Sequence, residues 1–282
     1  MAPPPERAVV VPVKGGPLAK SRLALPLPAR LALAEAFARD TVAAALGRAG
    51  HRVLVVTDDP RVGLWATEAG ATVVADDGGG LDGAVAAGLR AAAGTGARRA
   101  AVLLGDHPAL VADELDHALA ATAAHVRTVV PDADGTGTAL LDLALDGADP
   151  PPTRFGPGSA DAHAALGYRV LPLHAPGLRT DVDDAASLGA ALALGVGAHT
   201  RAALARATLP GVQATIHRVP GDDGGSALLD DGREVEVPVA ALVGSGLLHL
   251  RVGQRVSLEL DAAGRRATRV WIVGIGPGET IR

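Results

Sequence analysis

Over the first ~200 residues, short runs of Val, Ala and Leu alternate with Ala/Leu-rich stretches of helical period. That alternation constrains the fold more than any other feature. A strand covered on both faces reads as a continuous apolar run, and parallel neighbours need a crossover long enough for a helix. The pattern therefore predicts βαβ units around a mostly parallel sheet, an α/β fold of the Rossmann-like kind flanked by helices. Strands are predicted at Ala8–Val13, Arg52–Thr57, Ala71–Ala75, Ala100–Leu104, Arg127–Pro131 and Tyr168–Pro172, with a further short one over Thr138–Leu143. Helices are predicted at Ala29–Ala49, Arg61–Ala69, Leu81–Ala93, Val111–Ala124, Ser159–Leu166, Asp184–Leu194 and Ala198–Arg206.

After Leu209-Pro210-Gly211 the texture changes. Short alternating segments appear at Gln213–Val219, Ser226–Leu229, Glu234–Val237, Arg255–Leu260 and Thr268–Val273, separated by Gly/Asp turn signals such as Asp230-Asp231-Gly232. Five such strands suit a small all-β barrel of the OB type. The expected division is residues 1–209 for the α/β domain, 210–276 for the barrel and 277–282 for a tail.

Composition narrows the function classes. Hydrophobic residues make up 48% but aromatic ones only 2%, so the core has to be built from Ala, Val and Leu. There is no cysteine, which excludes disulfides and thiolate metal sites. No stretch reaches the roughly 18 apolar residues of a membrane span, and Met1–Val13 lacks the basic region and hydrophobic run of a signal peptide. The expectation is a cytoplasmic protein without membrane contact. A net charge of −5 offers no general attraction to nucleic acid. Of the 26 basic residues only Lys14 and Lys20 are lysines, as in a GC-rich genome where Arg codons displace Lys codons. Both lie in one loop, where chance clustering competes with a need for a compact ammonium.

That loop follows the first strand as Pro12-Val13-Lys14-Gly15-Gly16-Pro17-Leu18-Ala19-Lys20-Ser21-Arg22. A strand running into a Gly-rich basic loop and then a helix can cradle phosphates with backbone N–H groups and ammonium heads. A solvated loop with ordinary lysines would read the same way, and neither a Walker nor a Rossmann fingerprint is present. Asp106, in Leu104-Gly105-Asp106-His107-Pro108, lies just past a buried strand, at the sheet edge where α/β ligands bind. It is either a ligand for a hard cation or a turn residue. In Thr180-Asp181-Val182-Asp183-Asp184, an extended backbone points Asp181 and Asp183 to one side, and like charges so placed call for a cation. Asp184 is then free to cap the next helix. Two glycine-rich stretches, Asp132–Leu141 and Arg154–Ser159, read as plain turns or, in the second, as an anion seat with Ser159 at a helix cap. No histidine spacing suggests zinc, and no GxSxG suggests a hydrolase. His107 is read as a neighbour of Asp106 and not as a catalyst.

In order and spacing, PVKxxxxAKSRL, LLGDHPAL, PDADGTGTALL, RFGPGS and DVDDAASL resemble the 2-phospho-L-lactate and phosphoenolpyruvate guanylyltransferases of coenzyme F420 biosynthesis, over roughly residues 8–200. The resemblance implies a MobA-like nucleotidyltransferase fold that moves GMP from GTP to a small phospho-acid with Mg²⁺. It assigns Pro12, Val13, Lys14, Lys20 and Ser21 to the nucleotide, with Lys14, Lys20 and Arg22 offsetting charge in the reaction. It assigns Asp106, Asp181 and Asp183 to the metal, and Thr138, Gly156 and Ser159 to the phospho-acid. Asp82 stands where the family usually has Asn, which puts its part in nucleotide recognition in doubt. The GC-rich composition points to the actinobacterial branch, associated with phosphoenolpyruvate; phospholactate is the alternative acceptor.

Residues 211–276 resemble a cold-shock-type OB domain. Nucleic-acid-binding members stack bases on aromatics of two strands, but the matching stretches Gly224–Leu229 and Val235–Val239 contain none. A structural or oligomerising role, such as assembly of a homo-oligomer, is the expectation. The competing functions are another sugar- or cofactor-nucleotidyltransferase and, in a different class, a nucleic-acid-binding protein built on the barrel.

Overall fold

The computed structural model describes residues 7–15, 20–23, 25, 27–48, 50–146, 149–208, 212–221, 224–242 and 250–271. The expected boundary near residue 209, the tail and residues 16–19 of the basic loop lie outside these. The chain divides into two compact units, Met1–Ala24 with Leu31–Ala203, and Leu25–Arg30 with Leu204–Arg282.

In the first unit, β1 (Arg7–Pro12), α1 (Leu27–Leu46), β2 (His51–Thr57), α2 (Pro60–Ala69), β3 (Thr72–Ala75), α3 (Gly80–Gly94) and β4 (Arg99–Leu103) alternate as expected. There follow α4 (Ala112–Thr122), β5 (Arg127–Pro131), β6 (Thr138–Ala144), α5 (Ser159–Ala165), β7 (Arg169–Val170), α6 (Pro176–Arg179), α7 (Ala185–Leu194) and α8 (Ala198–Thr208); the first residues of α1 and the last of α8 fall within the second unit's bounds. Seven strands form one sheet in the order β3-β2-β1-β4-β6-β5-β7. All neighbours are parallel except β6, which runs antiparallel to β4 and β5.

The continuous apolar runs are explained by burial on both faces. Val9 and Val11 of β1 join Val53, Val55 and Leu103 on one side, and Ala8 and Val10 join Leu54, Val56 and Val102 on the other. The two-residue period of the strand thus serves two cores. Helix α3 lies so close that a Cβ on Gly88 would meet Val10 at 2.3 Å.

Three elements differ from expectation. The strand expected over Tyr168–Pro172 shrinks to Arg169–Val170, because the Tyr168 N–H turns back to the His163 carbonyl at 3.1 Å and Pro172 has no N–H to give. Ser159 is the first residue of α5, not its cap; Gly158 holds the cap position at φ 69°. Helix α6 was not foreseen. Asp184 does cap α7, in a reciprocal pair with Ser187.

The second unit contains β8 (Val212–Gly221), β9 (Gly224–Leu229), β10 (Glu234–Val237), a 3-10 turn (Val239–Leu242), β11 (Arg255–Leu260) and β12 (Ala267–Trp271). They form an antiparallel sheet in the order β10-β9-β8-β11-β12. Glu236 and Arg266 add a parallel bridge between the two ends of that order. Its core holds Ile216, Val235, Val237, Val256, Leu258 and Val270. No helix among the described residues is long and apolar enough to cross a membrane.

Candidate active site

The sheet brings together what the sequence separates. Strand β1 ends at Pro12 and β4 at Leu103, and at the edge reached by these parallel neighbours lie Lys14, Lys20, Ser21 and Arg22 beside Gly105 and Asp106. The Asp181–Asp183 segment is fastened there by the Val182 N–H, which donates to the Asp106 carbonyl at 2.9 Å. Val182 is fully buried, so its flanking aspartates are turned the other way. A cavity of about 390 Å³ opens at this edge, lined by Pro12, Val13, Lys14, Lys20, Ser21, Arg22, Asp106 and Asp183 among others.

Its centre is charged. Lys20 Nζ donates to Asp106 Oδ2 at 2.6 Å and to Asp183 Oδ1 at 2.8 Å, and Arg22 lies 3.7 Å from Asp183. Carboxylate oxygens of Asp106, Asp181 and Asp183 lie within 4.8 Å of one another. Burial works against the charge of Asp106, but the Lys20 ammonium outweighs it and holds this carboxyl below its ordinary range. Lys20 is likewise penalised by burial, yet Asp106 and Asp183 keep its pKa raised. For Asp181 the balance is reversed: burial, then repulsion from Asp106 and Asp183, outweigh the attraction of Lys20 and push its carboxyl up to about 7. Lys20 also holds a left-handed backbone, φ 51°, which a side chain adopts only where its surroundings compensate.

Lys14 lines the same cavity, but its ammonium faces Asp76 at 3.8 Å. His107 is 3.7 Å from Asp106 Oδ1, and its ring nitrogens have no hydrogen-bond partner among the described residues. Burial pushes its pKa down, which keeps the ring neutral.

Thr138, Gly156 and Ser159 form a second group. The turn before Thr138 is closed by Asp132, which accepts from the Thr136 and Gly137 N–H groups at 3.0 and 2.8 Å. The Ser159 N–H donates to the Gly156 carbonyl at 3.1 Å. Arg179 ties this turn to the aspartate segment: its guanidinium donates to the Asp132 carbonyl at 2.6 Å, and its own carbonyl accepts from the Ala133 N–H at 2.7 Å.

Two residues gain roles that sequence reasoning missed. Asp82 Oδ1 accepts from Thr153 Oγ1 at 2.7 Å and from the Phe155 N–H at 3.0 Å, pinning the stretch that leads to Gly156. A carboxylate and an amide offer this acceptor oxygen equally. His163 is fully buried and joins Arg154 to Thr138 through its two ring nitrogens. Its only signal in the sequence was a place one helical turn after Ser159.

The site residues sit in a chain whose relatives are well defined. The MobA-like NTP transferase domain family matches residues 29–235. A phosphoenolpyruvate guanylyltransferase of Geodermatophilus obscurus is 50% identical over 213 residues, covering 72% of this chain and 96% of the relative. One from Streptomyces scabiei is 45% identical over 216 residues, with 72% and 98% covered. One from Thermomonospora curvata is 44% identical over 220 residues, with 74% and 93% covered. These relatives are matched almost end to end, while about a quarter of this chain lies outside the match. The chain belongs to the MobA-like NTP transferase domain family and, within it, to the phosphoenolpyruvate guanylyltransferases.

Proposed function

We propose that this chain transfers GMP from GTP to the phosphate of phosphoenolpyruvate, giving enolpyruvoyl-2-diphospho-5′-guanosine and pyrophosphate. An oxygen of the acceptor phosphate forms a bond to the α-phosphorus as the bond to the β-phosphate oxygen breaks. The observation that carries the reading is the cavity at the sheet edge lined by Lys20, Asp106 and Asp183, with an Asp181 oxygen within 4.8 Å of the other two carboxylates. Guanine as the base and phosphoenolpyruvate as the acceptor follow the named relatives. Passage of the product into coenzyme F420 synthesis rests on the motif resemblance, and dependence on GTP is the argument for the cytoplasm.

The residues fit a hard divalent cation, and we take it to be Mg²⁺. Three carboxylates supply oxygen ligands, Asp106 Oδ1 is buried without a hydrogen-bond partner among the described residues, and Asp181 is short of positive charge. When bound, such an ion draws charge from phosphate oxygens. The chain's own residues do the rest. Lys14, Lys20 and Arg22 offset the charge of the triphosphate, while Pro12, Val13 and Ser21 line its seat. Thr138, Gly156 and Ser159 hold the phospho-acid. No general base is needed for an ionised phosphate, so the neutral His107 has no proton to move. Catalysis is then positioning and neutralisation of two anions.

For the second unit we propose an OB-type barrel running from about residue 210 to 276, with a structural or oligomerising role. The strand order and the Glu236–Arg266 bridge support closure of the sheet, and β9 and β10 carry no aromatic on which a base could stack.

The acceptor comparison tests the reading. Purified protein with GTP, MgCl₂ and either phosphoenolpyruvate or 2-phospho-L-lactate should release pyrophosphate faster with the former. Faster release with phospholactate would reassign the acceptor.

A further inference from the structure

His163 sits at the centre of a fixed hydrogen-bond chain. The Arg154 backbone N–H donates to His163 Nε2 at 2.9 Å. A backbone amide can only donate, so Nε2 is an unprotonated acceptor and the neutral ring carries its hydrogen on Nδ1. Nδ1 lies 3.0 Å from Thr138 Oγ1. Because Nδ1 holds the hydrogen, the Thr138 oxygen is the acceptor in that bond, and the hydroxyl hydrogen has to point elsewhere. Thr138 is buried, at 7% exposure, and no acceptor for its hydroxyl occurs among the described residues.

The ring cannot easily reverse these roles. Phe155 and Tyr168 meet it edge-on, with centroids 4.9 and 5.4 Å away and interplanar angles of 73° and 66°. The opposite tautomer would set a protonated Nε2 against the Arg154 N–H, and a flipped ring would set Cε1–H there in place of an acceptor. The Arg154–Phe155 backbone is itself held by Asp82, so the acceptor side of the chain is fixed as well.

We infer that His163 is a positioning residue that makes the Thr138 hydroxyl an obligate donor to an anionic oxygen of the phospho-acid. This rests on the reading that Thr138 contacts that substrate. A threonine free to rotate would offer a lone pair as readily as a hydrogen, and a lone pair repels a carboxylate or phosphate. With its lone pair engaged by Nδ1–H, it presents the hydrogen alone. Hydrogen bonds to charged groups are the stronger kind, and losing the orientation of this one should weaken acceptor binding by about tenfold.

The test is a double-mutant cycle on KM, read by pyrophosphate release from the full chain. Thr138→Val removes the donor. His163→Gln can keep an acceptor for the Arg154 N–H but no longer donates from the Nδ1 position, whereas His163→Asn sets an amide N–H near that position. The expected result is a KM for phosphoenolpyruvate raised about tenfold by T138V and by H163Q, with the double variant no worse than either. H163N should be the milder histidine variant, and KM for GTP should stay within about twofold throughout. If T138V raises the acceptor KM while H163Q does not, or their effects multiply, the orienting role is wrong and the Thr138 contact stands. If T138V leaves the acceptor KM unchanged, the contact itself is wrong and the inference falls with it. Thr138→Ser, which keeps the hydroxyl, should restore the native KM even if H163Q proves too unstable to assay; failure of T138S to do so after T138V has raised KM would also overturn the inference.

Discussion

Replacing Asp181 by Asn should make the metal-free protein more stable, and more so as pH rises. In the fold, burial and the charges of Asp106 and Asp183 push the Asp181 carboxyl from 3.8 to about 7. A rise of that size corresponds to about 4 kcal/mol against the charged form, which we reduce to about 2–3 kcal/mol because part of this carboxyl meets water. The sign follows from proton binding: the folded carboxyl keeps its proton to higher pH than the unfolded one. Stability fully present below about pH 4 is therefore lost as pH climbs through 7. An amide cannot ionise and loses nothing. Between pH 5 and pH 8, in chelator, the advantage of D181N should widen by about 2 kcal/mol, or roughly 4–8 °C in Tm for a domain of this size. Thermal denaturation of both proteins across that range reads it directly. Parallel curves of Tm against pH would refute the electrostatic picture of the site. Added MgCl₂ should raise the Tm of the native chain at pH 8 and that of D181N far less.

Asp106→Ala should abolish turnover with the fold intact, seen as unchanged circular dichroism beside a loss of at least about 10³ in kcat. Near-normal activity at saturating MgCl₂ would sink the metal assignment. Lys20→Met removes the counter-charge of Asp106 and Asp183, so the pKa of Asp106 should rise and its carbon-13 titration should move to higher pH. Asp82→Asn keeps the single oxygen that accepts from Thr153 and Phe155 and should leave KM for phosphoenolpyruvate within about twofold. Asp82→Ala loses both bonds, about 1 kcal/mol each, and should lower Tm and raise that KM.

Much of the fold was legible because the signals are local. The expected bounds of β5, β10 and β11 coincide with the observed ones, since Pro, Gly and Asp turn residues punctuate those strands. Asp184 was readable as a cap for the same reason. What failed was set by packing or by distance along the chain. Helix α6 has four residues, too few to show a period. Strand β7 is three residues shorter than expected: Tyr168 turns inward, its ring packing on that of His163, and Pro172 has no N–H to pair at the other end. Arg154–Ser159 looked like a turn or a capped helix start, but the chain chose Gly158 for the cap and left Ser159 buried. At the site, the residue types could be named in advance and their contacts could not. Lys20 reaches Asp106 across 86 residues and Asp183 across 163, which no spacing rule anticipates. His163 was invisible for a related reason: its partners are a backbone N–H and a hydroxyl, neither of which leaves a motif.

The central claim, transfer of a guanylyl group, is tested most directly by following the α-phosphate. GTP labelled at the α-phosphorus should pass its label, in the presence of MgCl₂ and phosphoenolpyruvate, into a new diphosphate-linked product, with unlabelled pyrophosphate released in equal amount. Retention of the label in GTP with every phospho-acid offered, or transfer from labelled ATP and not from GTP, would contradict the account.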